Sequence, residues 1–238
     1  MTPRTVVKPL CIALLASLSV SATLGGSLQR QVSSLPEVSA PPGGTAVWIA
    51  KAMRLNGVPM TLKAFTSAAN ADEVLQIYER RLRLGSGTRS RRSEEGNERL
   101  LTVMAADYYI TIRARDAVTG SEGTIAVSPL LANLKPDKRT MFPLPETSRV
   151  VSLQAYEDDG IEAEHISAIS KRTPAIEARA FVAALEQRGW QLLRSEPSAT
   201  NAAGYVIEAQ RAAALAQITL QRAPRSVETT IMIVWRKA

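Results

Sequence analysis

Residues 54–82, RLNGVPMTLKAFTSAANADEVLQIYERRL, lie over residues 157–185, EDDGIEAEHISAISKRTPAIEARAFVAAL, at a constant offset of 103 and without a gap. Gly57 falls on Gly160 and Asn56 on Asp159, and both dipeptides suit the positive φ angles of a tight hairpin turn. Ser67 falls on Ser170, Asn70 on Thr173, Tyr78 on Phe181 and Leu82 on Leu185. Asn70 and Thr173 are N-cap residue types, whose side chains accept orphan backbone N–H groups for about 1 kcal/mol each. Glu73 completes a capping box with Asn70, and Pro174 takes the first helical position after Thr173. Leu75, Tyr78 and Leu82 form one apolar stripe, which Ala178, Phe181 and Leu185 repeat. Gly189 ends the second helix, and Gly85 or Gly87 the first.

Outward from these helices the pattern changes to strands. LLTVMA, YYITIRA and GTIAVS follow the first helix; WQLL, YVIEAQ, LAQITLQ and ETTIMIVW follow the second. Period-two alternation is clear at Ile110 and Ile112, and again at Ile231 and Ile233. The expected fold is α+β: two tandem ββαβββ-type repeats, each an antiparallel sheet with one helix on a face, related by a pseudo-twofold axis. The first repeat spans residues 46–128 and the second 149–238. Residues 129–148, with four prolines, form the joint between them. The two units either pack about that axis or merge their sheets, and a cleft between them is the expected location for a small ligand.

The N-terminus gives an address. Arg4 and Lys8 precede PLCIALLASLSVSA, an apolar run, and Val20-Ser21-Ala22 presents small residues at the positions a signal peptidase reads. Residues 1–22 are therefore expected to be a signal peptide, the chain periplasmic or secreted, and a retained membrane anchor the alternative. Residues 23–45, rich in Gly, Pro and Ser, read as a flexible tether. Cys11, the single cysteine of the chain, lies inside the apolar run, so cleavage leaves no disulfide, thiolate nucleophile or cysteine metal site.

Of the 238 residues 45% are hydrophobic and 21% charged, which excludes wholesale disorder. The formal charge of +7 rests on 22 arginines against 7 lysines. Seven arginines fall within residues 80–99, RRLRLGSGTRSRRSEEGNER. Gly85-Ser86-Gly87 follows a helix and has no lysine after it, so it is not a phosphate loop. The stretch has no aromatic residue and contains Glu94, Glu95 and Glu98, which argues against nucleic acid. Arg80, Arg81 and Arg83 oppose the dipole at a helix C-terminus. Arg89, Arg91 and Arg92 remain as the candidate binding residues, for an anionic lipid surface or an acidic protein face.

Catalytic motifs are thin. His165, the single histidine, matches Leu62 by the offset and is expected in a core position. No Gly-x-Ser-x-Gly elbow frames Ser167 or Ser170. Glu162 and Glu164 share one strand face and are the candidate pair for a carboxylate-dependent hydrolase. No catalytic set, cofactor motif or metal-ligand spacing emerges. Trp48, Trp190 and Trp235 are spread along the chain with no spacing that selects a stacking role. The function expected is an exported, non-enzymatic binding or accessory protein of the bacterial cell envelope. Its setting would be a secretion or pilus assembly, with envelope proteins as partners that add a strand to a sheet edge. A periplasmic small-ligand-binding protein is the alternative.

Overall fold

The computed structural model describes residues 28–82, 87–105, 107–130, 136–158, 161–198, 204–223 and 228–237. The signal peptide, Cys11, Arg83, Gly85 and the Asp159–Gly160 dipeptide lie outside the described residues. The first half of the chain runs α1 (Leu28–Val32), β1 (Thr45–Leu55), β2 (Val58–Ser67), α2 (Ala71–Leu82), β3 (Arg89–Glu95), β4 (Glu98–Met104), β5 (Tyr108–Asp116), β6 (Ser121–Pro129). The second runs β7 (Arg149–Asp158), β8 (Ile161–Ser170), α3 (Pro174–Gln187), β9 (Gln191–Pro197), β10 (Gly204–Arg211), β11 (Ala214–Arg222), β12 (Thr229–Lys237).

These strands form one antiparallel sheet of twelve, in the order β3-β4-β5-β6-β2-β1-β7-β8-β12-β11-β10-β9. The expectation of two ββαβββ α+β repeats with one helix each is thereby overturned. The molecule is mostly sheet, with three helices among the described residues. Two features account for the difference. Strands β1 and β7 bond to one another, so the sheet is continuous across the middle of the chain. Arg89–Glu95 is also a strand, paired along its whole length with β4. Its sequence, RSRRSEE, lacks apolar alternation because an edge strand exposed on both faces has no core to meet.

One face of the sheet carries the core. Leu101, Val103, Ile110, Ile112, Ile125 and Val127 meet Val74, Leu75 and Tyr78 of α2. Ile166, Ile207, Ile218, Leu220, Ile231 and Ile233 meet Ala178, Phe181 and Leu185 of α3. The glycines suit this geometry at two places: Gly57 turns the β1–β2 hairpin at φ 84°, and Gly189 ends α3 at φ 74°. Asn56 shares the hairpin at φ 51°, which only a short polar side chain adopts readily.

The segment expected as a flexible tether is instead, from Leu28 onward, part of the packed structure. Leu28, Val32 and Ala52 form a small cluster that places α1 on the helix side of the sheet. Residues 35–41 continue as a strap: Val38 is buried, Lys63 Nζ donates to Glu37 Oε1 and to the Val38 carbonyl, and Tyr78 donates its hydroxyl to the Ser39 carbonyl. Residues 140–148 form a second strap before β7. Phe142 is buried between Trp190, edge-on with centroids 5.3 Å apart, and Trp235, stacked at 6.3 Å. Proline suits such segments because it fixes an extended backbone that bonds to no sheet neighbour. The same residues destroy the periodicity by which ordered segments are recognised.

Where β1 meets β7 the sheet is stepped. The register pairs Met53 with Tyr156, Arg54 with Ala155 and Leu55 with Gln154, and only these. Asn56 locks the step, its amide donating to the Leu153 carbonyl at 2.7 Å and its Oδ1 accepting from the Leu153 amide at 2.9 Å. Residues 45–52 of β1 therefore bond to β2 on one side and, among the described residues, to no strand on the other.

Candidate functional site

The side of the sheet opposite the helices is open. Its middle is built from Leu62, Ala64, Ala126, Tyr156, Met232 and Val234, which alternate with the core residues of their strands. Met232 is 58% exposed and Val234 43%. The open edge of β1 adds Val47 and Ile49, at 64% and 50% exposure, while Trp48, 40% exposed, lies on the helix side opposite Lys63. The registers place Ile49 in a bulge between Trp48 and Ala50, and Trp48 sits under Lys63 Nζ, 4.2 Å from the ring centroid. An edge with unbonded N–H and C=O groups and bare apolar side chains is a template for an added strand.

The candidate arginines do not converge. Arg92 lies on the helix side of the edge strand β3, paired at 2.8 Å with Glu79 of α2. Arg89 and Arg91, by alternation, point to the open side opposite Met104 and Thr102. Other arginines of the first half also serve the sheet: Arg99 reaches Asp72 and Asp116, Arg113 reaches Glu95 and Glu98, and Arg115 reaches Glu122. The Ala71 amide and then the Arg99 guanidinium hydrogen-bond the Asp116 carboxyl and hold it below its usual range.

Glu164 is engaged structurally. Its Oε2 accepts from Trp235 Nε1 at 2.8 Å and from the Thr140 hydroxyl, tying the second strap to β8 and β12. Glu162 stands two residues away at the exposed end of the strand. His165 is not in the core: it is exposed on the open face, against the Tyr156 ring at 5.1 Å. Tyr156 donates to Gln154 Oε1 at 2.6 Å, and burial raises its phenol above the usual range. Among the described residues no three His, Cys, Asp or Glu side chains are placed to hold a metal, and no helix is long and apolar enough to cross a membrane.

Sequence reasoning missed a buried carboxylate, Glu177, on the first turn of α3. It is fully buried and accepts from the hydroxyls of Thr147, Ser148 and Ser170, with no cation in contact among the described residues. Its counterpart by the offset is Val74, so the polar cluster is an addition to the second half. It also missed two cavities beside that cluster. One, of about 740 Å³, runs between the second strap and α3. The other, of about 480 Å³, lies at the β8–α3 turn and shares Thr147 and Arg172 with the first. Three more cavities are lined from residues 45–124. The expected ligand cleft between the halves has no counterpart among these five. Comparison with protein-family models, with curated proteins and with solved structures finds no match.

Proposed function

We propose that the chain is an exported, non-enzymatic binding protein of the bacterial cell envelope, an accessory component of a secretion or pilus assembly that docks a protein partner on the open side of its sheet. The observation that supports this most is the one-sided covering of the sheet. Three helices and two straps lie on one face, while the other face and the stepped edge of β1 carry exposed Val47, Ile49, Met232 and Val234. Apolar surface of this kind is costly to leave in water and is commonly a partner's site. The export half of the reading rests on the small-residue pattern at Val20–Ala22. The use of Glu164 in the strap counts against its service as a hydrolytic carboxylate.

Site-specific photo-crosslinking in the native host tests the reading. Probes at Val47, Met232 and Val234 are expected to give adducts with a defined envelope protein, and a probe at Gln76 on α2 none. The proposal fails if the open-side probes give no adduct, or if the purified chain turns over a glycoside and Glu162→Gln abolishes the activity. In the same cells, N-terminal sequencing is expected to start at Thr23 in the periplasmic or secreted fraction, and a cytosolic chain beginning at residue 1 would refute export.

A further inference from the structure

The duplication supplies a comparison within one molecule. In the first half, Tyr78 of α2 reaches the strap and donates its hydroxyl to Ser39. In the second half the same positions are Phe181, which has no hydroxyl, and Phe142, which is drawn instead into the aromatic cluster. Three positions on the helix also shrink: Ile77, Arg80 and Arg81 of α2 become Ala180, Ala183 and Ala184 of α3. The outcome is the groove of about 740 Å³ along α3, walled by those alanines and by residues 140–147.

Basic residues have been added around it. Arg172 stands before the first turn of α3, Arg188 follows its last residue, and Arg211 faces the groove from the end of β10. The adjoining cavity adds Arg149 and Lys171. The first-half counterparts of Arg149, Lys171 and Arg172 are Ala46, Ala68 and Ala69, so the fold does not need these charges. None of the five cations has an ion-pair partner among the described residues. Glu146 on the groove wall and Glu228 in the adjoining cavity are the acids among the lining residues, and with the buried Glu177 carboxylate behind Thr147 and Ser170 they still leave a positive excess against the five cations.

We propose that this groove binds an extended acidic peptide segment. Arg172 and Arg188 are separated by the length of α3, 14 residues or about 21 Å. A single phosphate cannot touch both ends, whereas an extended peptide covers that distance with about six residues. Nucleic acid has no stacking platform here, since Phe142 and Trp190 are 4% and 7% exposed. The groove lies on the helix side, so this site and the partner surface proposed above stand or fall separately.

Titration of the intact chain with a capped hexaglutamate peptide tests the assignment, with hexaglutamine, inorganic phosphate and anionic phospholipid vesicles as parallel probes. The signals are Trp fluorescence and the indole resonances of Trp190 and Trp235, which report on Phe142 in the strap. Saturable hexaglutamate binding is expected, weakened about tenfold or more by the R172E/R188E pair, as for charge pairs across an interface. Ala180→Ile, which restores the first-half residue, is expected to block binding with the charge unchanged, while R89E/R91E at the sheet edge leaves it intact. Equal binding of hexaglutamine, insensitivity to both R172E/R188E and Ala180→Ile, or phosphate or vesicles bound in place of the peptide would overturn the proposal. The surface pair R172E/R188E decides the matter should Ala180→Ile fail to fold.

Discussion

Asn70 and Thr173 hold the same place before α2 and α3, yet their side chains do different work. Glu73 donates its amide to Asn70 Oδ1 at 2.9 Å, and Asn70 donates its own to Glu73 Oε2 at 3.2 Å, a reciprocal capping box. The Thr173 side chain makes no cap hydrogen bond, because Pro174 already presets the helical φ and has no N–H to satisfy. Asn70→Ala is therefore expected to cost about 1 kcal/mol and Thr173→Ala close to nothing, read from urea midpoints. Glu177→Ala is expected to cost about 1–3 kcal/mol, since it strands the buried Ser170 hydroxyl and removes the partner of the half-buried Thr147 and Ser148 hydroxyls. Asp137 adds a pH dependence. Its backbone N–H holds the Asn56 carbonyl, and the Arg139 guanidinium followed by the Arg139 amide holds its carboxyl at about 2 against a usual 3.8. A depressed carboxyl contributes stability above its unfolded value and loses it as pH falls toward the folded one. Acid titration should therefore show the wild-type chain losing stability between about pH 4 and 2, and Asp137→Asn should remove the part of that loss that Asp137 contributes, leaving the part due to Asp116. The capping box was legible because it is written in neighbouring residues. The Glu177 cluster was not, since its hydroxyls come from two segments, Thr147–Ser148 and Ser170, that lie apart in sequence.

Strands and helices with an apolar face could be read from period alone, as β5, β12 and α2 were. The two straps and β3 could not, each for its own physical reason. Strand β3 is an edge, wet on both faces, and it is held by main-chain bonds to β4 that impose no side-chain pattern. Each strap has one large buried apolar anchor amid prolines, Val38 or Phe142, and its other ties are hydrogen bonds that carry no sequence period. The one sequence signal available was Phe142 itself, an aromatic residue in a segment otherwise read as a joint. Its removal measures what the strap contributes. Phe142→Ala is expected to cost about 3–4 kcal/mol, the range for emptying a buried aromatic site. It should also red-shift Trp emission, because Trp190 and Trp235 lose the ring between them. A surface loop would tolerate the change with a shift under about 0.5 kcal/mol.

At the scale of the molecule, duplication is the feature that sequence shows and assembly is the one it hides. The offset of 103 links Ser67 to Ser170, and each of these serines accepts a backbone amide two residues on, from Ala69 and Arg172. No residue pattern, however, reports that β1 and β7 will share three cross-strand pairs, because the bonds between Met53–Leu55 and Gln154–Tyr156 are main-chain. That short overlap produces the step and leaves the β1 edge open, with three consecutive large apolar residues exposed. Exposed hydrophobic edges pair with whatever strand is near, and a charge placed on them blocks the pairing without touching the core. Val47→Lys and Ile49→Lys are therefore expected to leave the unfolding midpoint within about 0.5 kcal/mol of wild type. Concentration-dependent self-association in sedimentation velocity should fall in both, and so should any crosslink formed from Met232. A large loss of stability in either variant would mean that these side chains are buried by a segment of the chain itself, and that the edge is already filled.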